Sequence, residues 1–384
     1  MALALYIHWP FCLQKCPYCD FNSHVRDGVD TDAWQRALLD DMAHEARMTG
    51  RRELGSIFFG GGTPSLMPPS LVESLIHRAS QLWNFADDIE ITLEANPSSV
   101  ESARFADLAV AGVNRTSLGV QSFNNNALKF LGRLHDSDEA VQALGIAQKH
   151  FDRVSFDLIY SRPEQTRAQW QSELGTALAF GTGHLSLYQL TIEPGTRFAT
   201  DLRKGAFAMP DEEVSSELFE YTRFRMKSAG LPAYETSNHA RPGEESRHNL
   251  VYWRYEDYVG IGPGAHGRRN QHATMRHRKP ENYLAAHLRQ GHGLSEERKL
   301  SAREQAAEAL MMGLRLTEGV DPAALAARFG LEQDNMLDSA RTRLVEQLGF
   351  IATDSDRLRV TGRGMVVLDS LIAEILSPDL MDAP

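Results

Sequence analysis

The chain has 384 residues, 42% hydrophobic and 24% charged, with a formal net charge of −11. That balance describes a folded chain of one large domain and a smaller one, and excludes disorder. It also excludes a general attraction to nucleic acid or anionic lipid, and no apolar run approaches the roughly 20 residues that a membrane-spanning helix needs.

The N-terminal stretch MALALYIHWP has no basic leader region and runs straight into the cysteines, so a cleaved signal is not expected and the reducing cytoplasm is the expected compartment. Its apolar run LALYIHW precedes FCLQKCPYCDF, which holds every cysteine of the chain: Cys12, Cys16 and Cys19. Further runs of strand length follow at SIFFGGG, EITLEANP, RTSLGVQS, RVSFDLIY and HLSLYQLTI, making six candidate strands. Between them, residues 32–48, 70–82, 101–110, 124–149 with a break, and 166–180 carry apolar residues at helical spacing, as at Leu71, Leu75 and Leu82. Repeated strand and helix predict βα units and a parallel sheet, and near-continuous apolar strands fit burial on both faces.

The predicted fold class is therefore α/β, a partial (β/α)6 TIM-like barrel. Closure would take eight units, so an open side is expected. In such sheets chemistry gathers beyond the carboxyl ends of the strands. The cysteines follow the first strand, Gly60–Thr63 follow the second, Glu94–Pro97 end the third, Gln121 ends the fourth and Asp157 lies in the fifth. Convergence of these positions on one rim is the prediction.

Residues 1–231 form the expected barrel, and 232–299 read as an irregular linking segment rich in Gly, His and aromatics. Residues 300–384 read as a small α+β domain: three helical stretches, REQAAEALMMGLRL, DPAALAARFG and NMLDSARTRLVEQLGF, then a hairpin in IATDSDRLRVTGRG. That is the outline of a winged helix. From residue 301 onward it carries 8 Arg, no Lys and 14 Asp plus Glu, so phosphate neutralisation is disfavoured and a structural or protein-contacting role is expected.

Three thiols within eight positions have three readings. A disulfide leaves one thiol over, in a reducing compartment. Zinc would take the three thiolates and a fourth ligand such as His24. An iron-sulfur cluster on three thiolates would leave one iron open. Spacing alone does not separate the last two.

The pattern C-x3-C-x2-C with Tyr18 before the third cysteine resembles the signature of the radical S-adenosylmethionine (radical SAM) superfamily. The resemblance implies a 4Fe-4S cluster on Cys12, Cys16 and Cys19, whose fourth iron takes the amino and carboxylate groups of S-adenosylmethionine. Gly60–Pro64 resembles the superfamily's glycine motif, which contacts the methionyl amino group. The runs YIHWPFCLQKCPYCDF, FFGGGTPS, LEANP, GVQSF, LGRLH and FDLIYSRPEQT resemble the oxygen-independent coproporphyrinogen oxidase family over nearly the whole chain. This implies contacts to a first S-adenosylmethionine from Tyr6, Gly61 and Glu94. A second molecule would be touched by Tyr18, Gly62, Thr63, Gln121, Arg133 and Asp157.

The oxidase branch has CxC at the third cysteine and a long N-terminal extension, whereas here Cys19 is followed by Asp20 and Phe21, and five residues precede Tyr6. Both departures, and the HNxxYW motif at His248, Asn249, Tyr252 and Trp253, are similar to the HemW-type haem chaperones. That resemblance implies haem as ligand, no coproporphyrinogen oxidase activity, and delivery to haem-accepting proteins such as respiratory-chain enzymes, with no nucleic acid and at most peripheral membrane association. His248 is the expected axial ligand, with His24 and His266 as lesser candidates, and flanking aromatics would pack on the macrocycle. Imidazole ligation predicts haem release as the ligand protonates near its reference pKa of about 6.5. The plainer reading is that His248 and Asn249 cap a turn while Val251 and Trp253 fill a core. Two other functions stay open: oxidative decarboxylation of two propionates to vinyls, and a zinc-stabilised scaffold. Catalytic residues and oligomeric state are not assigned by the sequence.

Overall fold

In the computed structural model, which describes residues 3–26 and 28–381, all six predicted strands form. They are β1 (Leu3–Trp9), β2 (Glu53–Gly61), β3 (Asn84–Ala95), β4 (Arg115–Gln121), β5 (Arg153–Tyr160) and β6 (His184–Gln189), each parallel to the next. Leu3, Leu5 and Ile7 of β1 are fully buried, and on the other face Ala4 is fully buried and His8 nearly so. That is the two-sided burial the apolar runs required.

The helices start where local chemistry satisfies their free N–H groups. Asp30 accepts from the Ala33 amide ahead of helix Thr31–Thr49, and capping boxes open Ser137–His150 (Asp136 with Glu139) and Arg167–Ala179 (Thr166 with Gln169). Leu71 and Leu75 of helix Pro69–Leu82 lie in the core and Leu82 packs at its margin. The break expected within 124–149 falls between Asn125–Phe130 and Ser137–His150, at Gly132 with φ +67°. It brings Arg133 to the rim.

Residues 232–299 correct the expectation of an irregular linker. They supply β7 (Asn238–Ala240), β8 (Tyr258–Ile261), β9 (His266–Arg269), β10 (His272–Arg276) and β11 (Leu294–Lys299), all in the main sheet. β8 runs parallel to β1, β9 to β11 follow it as an antiparallel meander, and β7 pairs antiparallel with β6. The 11-stranded sheet is thus open, in the order β11-β10-β9-β8-β1-β2-β3-β4-β5-β6-β7. Charges hide these strands from a hydropathy reading: Arg269 and Arg276 are buried, paired with Glu45 and Asp41 of helix Thr31–Thr49, and the Tyr283 hydroxyl donates to Asp41 at 2.8 Å. The two edges differ. β7 is three residues long, while β11, LSEERK, is largely exposed and charged.

The C-terminal unit has the expected helices Ala302–Gly313, Pro322–Phe329 and Ser339–Gln347, and a hairpin of β12 (Ile351–Asp354) and β13 (Arg357–Val360). Helices Gly362–Val366 and Leu368–Ile375 follow, and Leu371, Ile372 and Ile375 complete a second core with Leu310, Leu314 and Leu358. The ends of the predicted N-terminal stretch and of the 300–384 domain lie outside the described residues. Among those described, no helix is long and apolar enough to cross a membrane.

Candidate functional site

The chain leaves β1 into a loop closed by a short parallel pairing of Phe11–Cys12 with His24–Val25. Cys12, Cys16 and Cys19 sit on this loop as free, partly buried thiols. The loop is tied down from several sides. The amides of Gly62 and Thr63 donate to Trp9 O and Phe11 O at 2.7 and 2.9 Å, Gln14 Nε2 donates to Gly132 O at 3.2 Å, and the Phe198 amide donates to Pro17 O at 2.9 Å. A side chain on Gly62 would place its Cβ 2.7 Å from Phe11 O and 3.0 Å from Cys12 Sγ. Glycine there is a matter of room. Gly61, at φ +114°, is a matter of backbone, and its Cβ would also strike the His8 imidazole.

A cavity of about 320 Å³ opens at the carboxyl ends of β1 to β6. It collects the three cysteines with Tyr18, Gly61, Gly62, Thr63, Glu94, Gln121, Arg133 and Asp157, so eleven of the expected residues share one wall. Tyr6 is displaced from it. Its hydroxyl shares a 2.9 Å hydrogen bond with His8 Nδ1, and its ring lines a side cavity of about 440 Å³ that has Gly61, Glu94 and Phe21 in common with the central one.

The electrostatics of the central cavity are unbalanced. Burial first, then the neighbouring Asp157, raise the Glu94 carboxyl to about 8, against one hydrogen bond from the Gly61 amide at 3.2 Å. Burial raises Asp157 to about 6, although Ser117 Oγ donates to it at 3.2 Å. Arg133 donates to Gly119 O at 2.9 Å and to Asn96, and its Nη1 lies 3.4 Å from Cys16 Sγ and 3.5 Å from the Tyr18 hydroxyl. Gln121 has φ +66° and its buried Oε1 has no hydrogen-bond partner. Burial also raises the thiols of Cys12 and Cys19.

This set fits the groups the resemblance implies. Two carboxyls held above their ordinary range, an orphaned acceptor and a glycine cradle want a ligand carrying ammonium and hydroxyl donors. Among the described residues no three His, Cys, Asp or Glu side chains converge as one metal ion requires. A four-iron cluster sets its three thiolates on separate irons and does not require it.

His248, the expected axial ligand, is enclosed. It is 1% exposed, its Nδ1 lies 3.0 Å from Ser56 Oγ and its Nε2 lies 2.7 Å from the Tyr252 hydroxyl, so both ring nitrogens are taken. Its ring stacks on Phe58 at 4.9 Å, and burial lowers its pKa to about 3. Around it Ser246, not His248 or Asn249, caps helix Arg247–Trp253, Val251 is buried and Trp253 packs, partly buried, with Tyr234 and Leu316. His24 is partly exposed with Nε2 3.3 Å from Asn22 Oδ1, and His266 is exposed at the rim of the side cavity.

Sequence reasoning missed Asn96, which donates to Thr63 Oγ1 at 3.2 Å and accepts from Arg133, and Ser117, which holds Asp157. It also missed Tyr188 and Gln189, at the end of β6. Asn96 was visible in LEANP. The others carry no signal beyond their place at a strand's carboxyl end.

The model of the radical SAM superfamily matches residues 6–174 and that of the HemN C-terminal domain matches 300–367. The chain is 38% identical to the heme chaperone HemW of Escherichia coli (strain K12), over 98% of each chain. It is 37% identical to radical S-adenosyl methionine domain-containing protein 1, mitochondrial, of Bos taurus, over 97% of this chain and 87% of that one. Among solved structures it resembles coproporphyrinogen III oxidase (HemN) from Escherichia coli, with a TM-score of 0.81 and 22% identity over 97% of this chain and 89% of that one. That likeness concerns the fold.

Proposed function

Because the chain belongs to the HemW heme chaperone family within the radical SAM superfamily, we propose that it is a haem chaperone, carrying a 4Fe-4S cluster and S-adenosylmethionine, that binds haem and delivers it to haem proteins. The observation that carries this reading is end-to-end similarity to Escherichia coli HemW, barrel and C-terminal unit together.

Cys12, Cys16 and Cys19 would hold the cluster, and the elements that pin their loop orient it. When bound, a cluster with one open iron supplies a coordination site for the amino and carboxylate groups of S-adenosylmethionine and one electron. Glu94 and the Gly61 backbone would meet the N–H groups of that ligand's amino end, with Tyr6 lining the side cavity next to them. Tyr18, Gly62, Thr63, Gln121, Arg133 and Asp157 would bind a second molecule, Arg133 through its charge and Gln121 through its free acceptor. The barrel-like unit, whose sheet continues from 1–231 through 232–299, and the C-terminal unit from 300 are the working domains. We read the acceptors as respiratory-chain haem enzymes and the compartment as the cytoplasm.

The test is anaerobic reconstitution with iron and sulfide, followed by haem titration and, separately, incubation with coproporphyrinogen III. The expected protein is brown, binds haem with a Soret change and leaves coproporphyrinogen unconverted, and Cys16→Ser does not retain the cluster. Stoichiometric zinc without acid-labile sulfide, or turnover of coproporphyrinogen, overturns the reading.

A further inference from the structure

If haem is carried, it needs a surface of its own, since His248 is buried and the two cavities at the rim hold the residues read as S-adenosylmethionine contacts. On the other side of the cysteine loop lies a groove of about 690 Å³, which Cys16 and Cys19 also line. Its floor is aromatic. Phe130 meets Phe198 and Phe207 with ring centroids 4.7 and 5.3 Å apart, and Phe198 meets Phe207 at 5.2 Å. These rings overlie a small core of their own, with Leu131, Ile159 and Leu190.

The rim is cationic. Lys15 and Lys129 are exposed and, among the described residues, neither pairs with a carboxylate. Arg197, 79% exposed, reaches only Asp201 at 3.3 Å. A neighbouring groove of about 770 Å³ shares Phe130 and Phe207, but Glu164 and Glu173 line it and Glu173 engages its Arg162. The two differ in charge, not size.

We infer that the groove of Phe130, Phe198 and Phe207 rimmed by Lys15, Lys129 and Arg197 is the haem seat, taking the macrocycle on the rings and the two propionates on the cations. The inference rests on the haem-chaperone reading. An apolar floor with a few charged groups is how a flat, dianionic ligand is held and oriented. No imidazole lines the groove, so the iron is held without a histidine bond from it. A carrier that must surrender its cargo gains from that, because release then breaks no strong ligand bond.

The experiment is haem titration of the cluster-loaded chain and of a Lys129→Glu, Arg197→Glu double variant, repeated with haem dimethyl ester, whose carboxylates are blocked. Both residues are exposed, and iron content checks that the cluster is intact. Expected is a loss of affinity on the order of tenfold or more in the double variant, the sum of two exposed charge contacts. The ester should bind wild type as weakly as haem binds the variant, and His266→Ala should leave the haem spectrum unchanged. Equal affinity of variant and wild type, equal binding of haem and ester, or a histidine-ligated spectrum lost in His266→Ala overturns the seat while leaving the chaperone reading in place. A wild type that binds no haem at all overturns both.

Discussion

Two glutamates on the same face of β3 are treated in opposite ways. Glu90 is 2% exposed and fully partnered: Arg153 stands 2.7 Å away and Arg115 3.9 Å, and the amides of Arg247 and His248 donate to it at 3.3 and 3.2 Å. Burial pushes its carboxyl up, but the two arginines outweigh that and hold it below the ordinary range. Glu94, one turn of the pleat further along, has the Gly61 amide and a repelling Asp157, and rises to about 8. The fold completes its charges at one end of the sheet and leaves them incomplete at the other. A deficit at the carboxyl end is a vacancy a cationic ligand can fill.

The strongest test of that contrast removes each carboxylate in turn. Glu90→Ala leaves the buried Arg115 without a carboxylate, leaves Arg153 only Glu244, and frees the first amides of the helix from Arg247, and should cost about 3–5 kcal/mol in denaturant unfolding. Glu94→Gln should cost nothing or stabilise the ligand-free chain. The reverse order would break the comparison. Next, His248→Ala strips Ser56 and Tyr252 of a buried partner and should lose roughly 1–3 kcal/mol, with the haem spectrum intact; a lost spectrum at unchanged stability would restore it as a ligand.

The pH dependence sharpens the same contrast. Unfolded, Glu94 titrates near about 4.3, and folded near 8. The folded state therefore holds the extra proton between these values, and ligand-free stability falls as pH rises through the window. Accepting a hydrogen bond from the ligand's amino group requires that proton to leave, so S-adenosylmethionine affinity should climb with pH up to about 8, by at most about tenfold per unit from this group. Isothermal titration at several pH values should show a steeper slope in wild type than in Glu94→Gln. The smallest effect belongs to the exposed Arg167–Glu217 pair on the outer helices, where Arg167→Ala should cost less than about 1 kcal/mol by thermal melts.

How much was legible follows the same division. The six parallel strands announced themselves because burial on both faces demands unbroken apolar runs, and the site residues because βα sheets put chemistry at strand ends. Strands β8 to β11 did not, since Arg269 and Arg276 count as surface residues in any hydropathy reading until Asp41 and Glu45 are seen beside them. The motif histidine is a related case: a sequence shows an imidazole, not whether its two nitrogens are already engaged. Arg133 was placed by resemblance, and the structure adds the cause, a helix interrupted at Gly132.

The open sheet also bears on how an acceptor can approach. An unclosed sheet normally offers free N–H and C=O rows to any passing strand. Here one border is too short to template an added strand, and the other presents Glu296, Glu297, Arg298 and Lys299 in succession. Backbone addition is thereby discouraged at both margins. Recognition of a recipient falls to side chains and shape, which let go more readily than a shared ladder of hydrogen bonds and suit a protein whose encounters have to end.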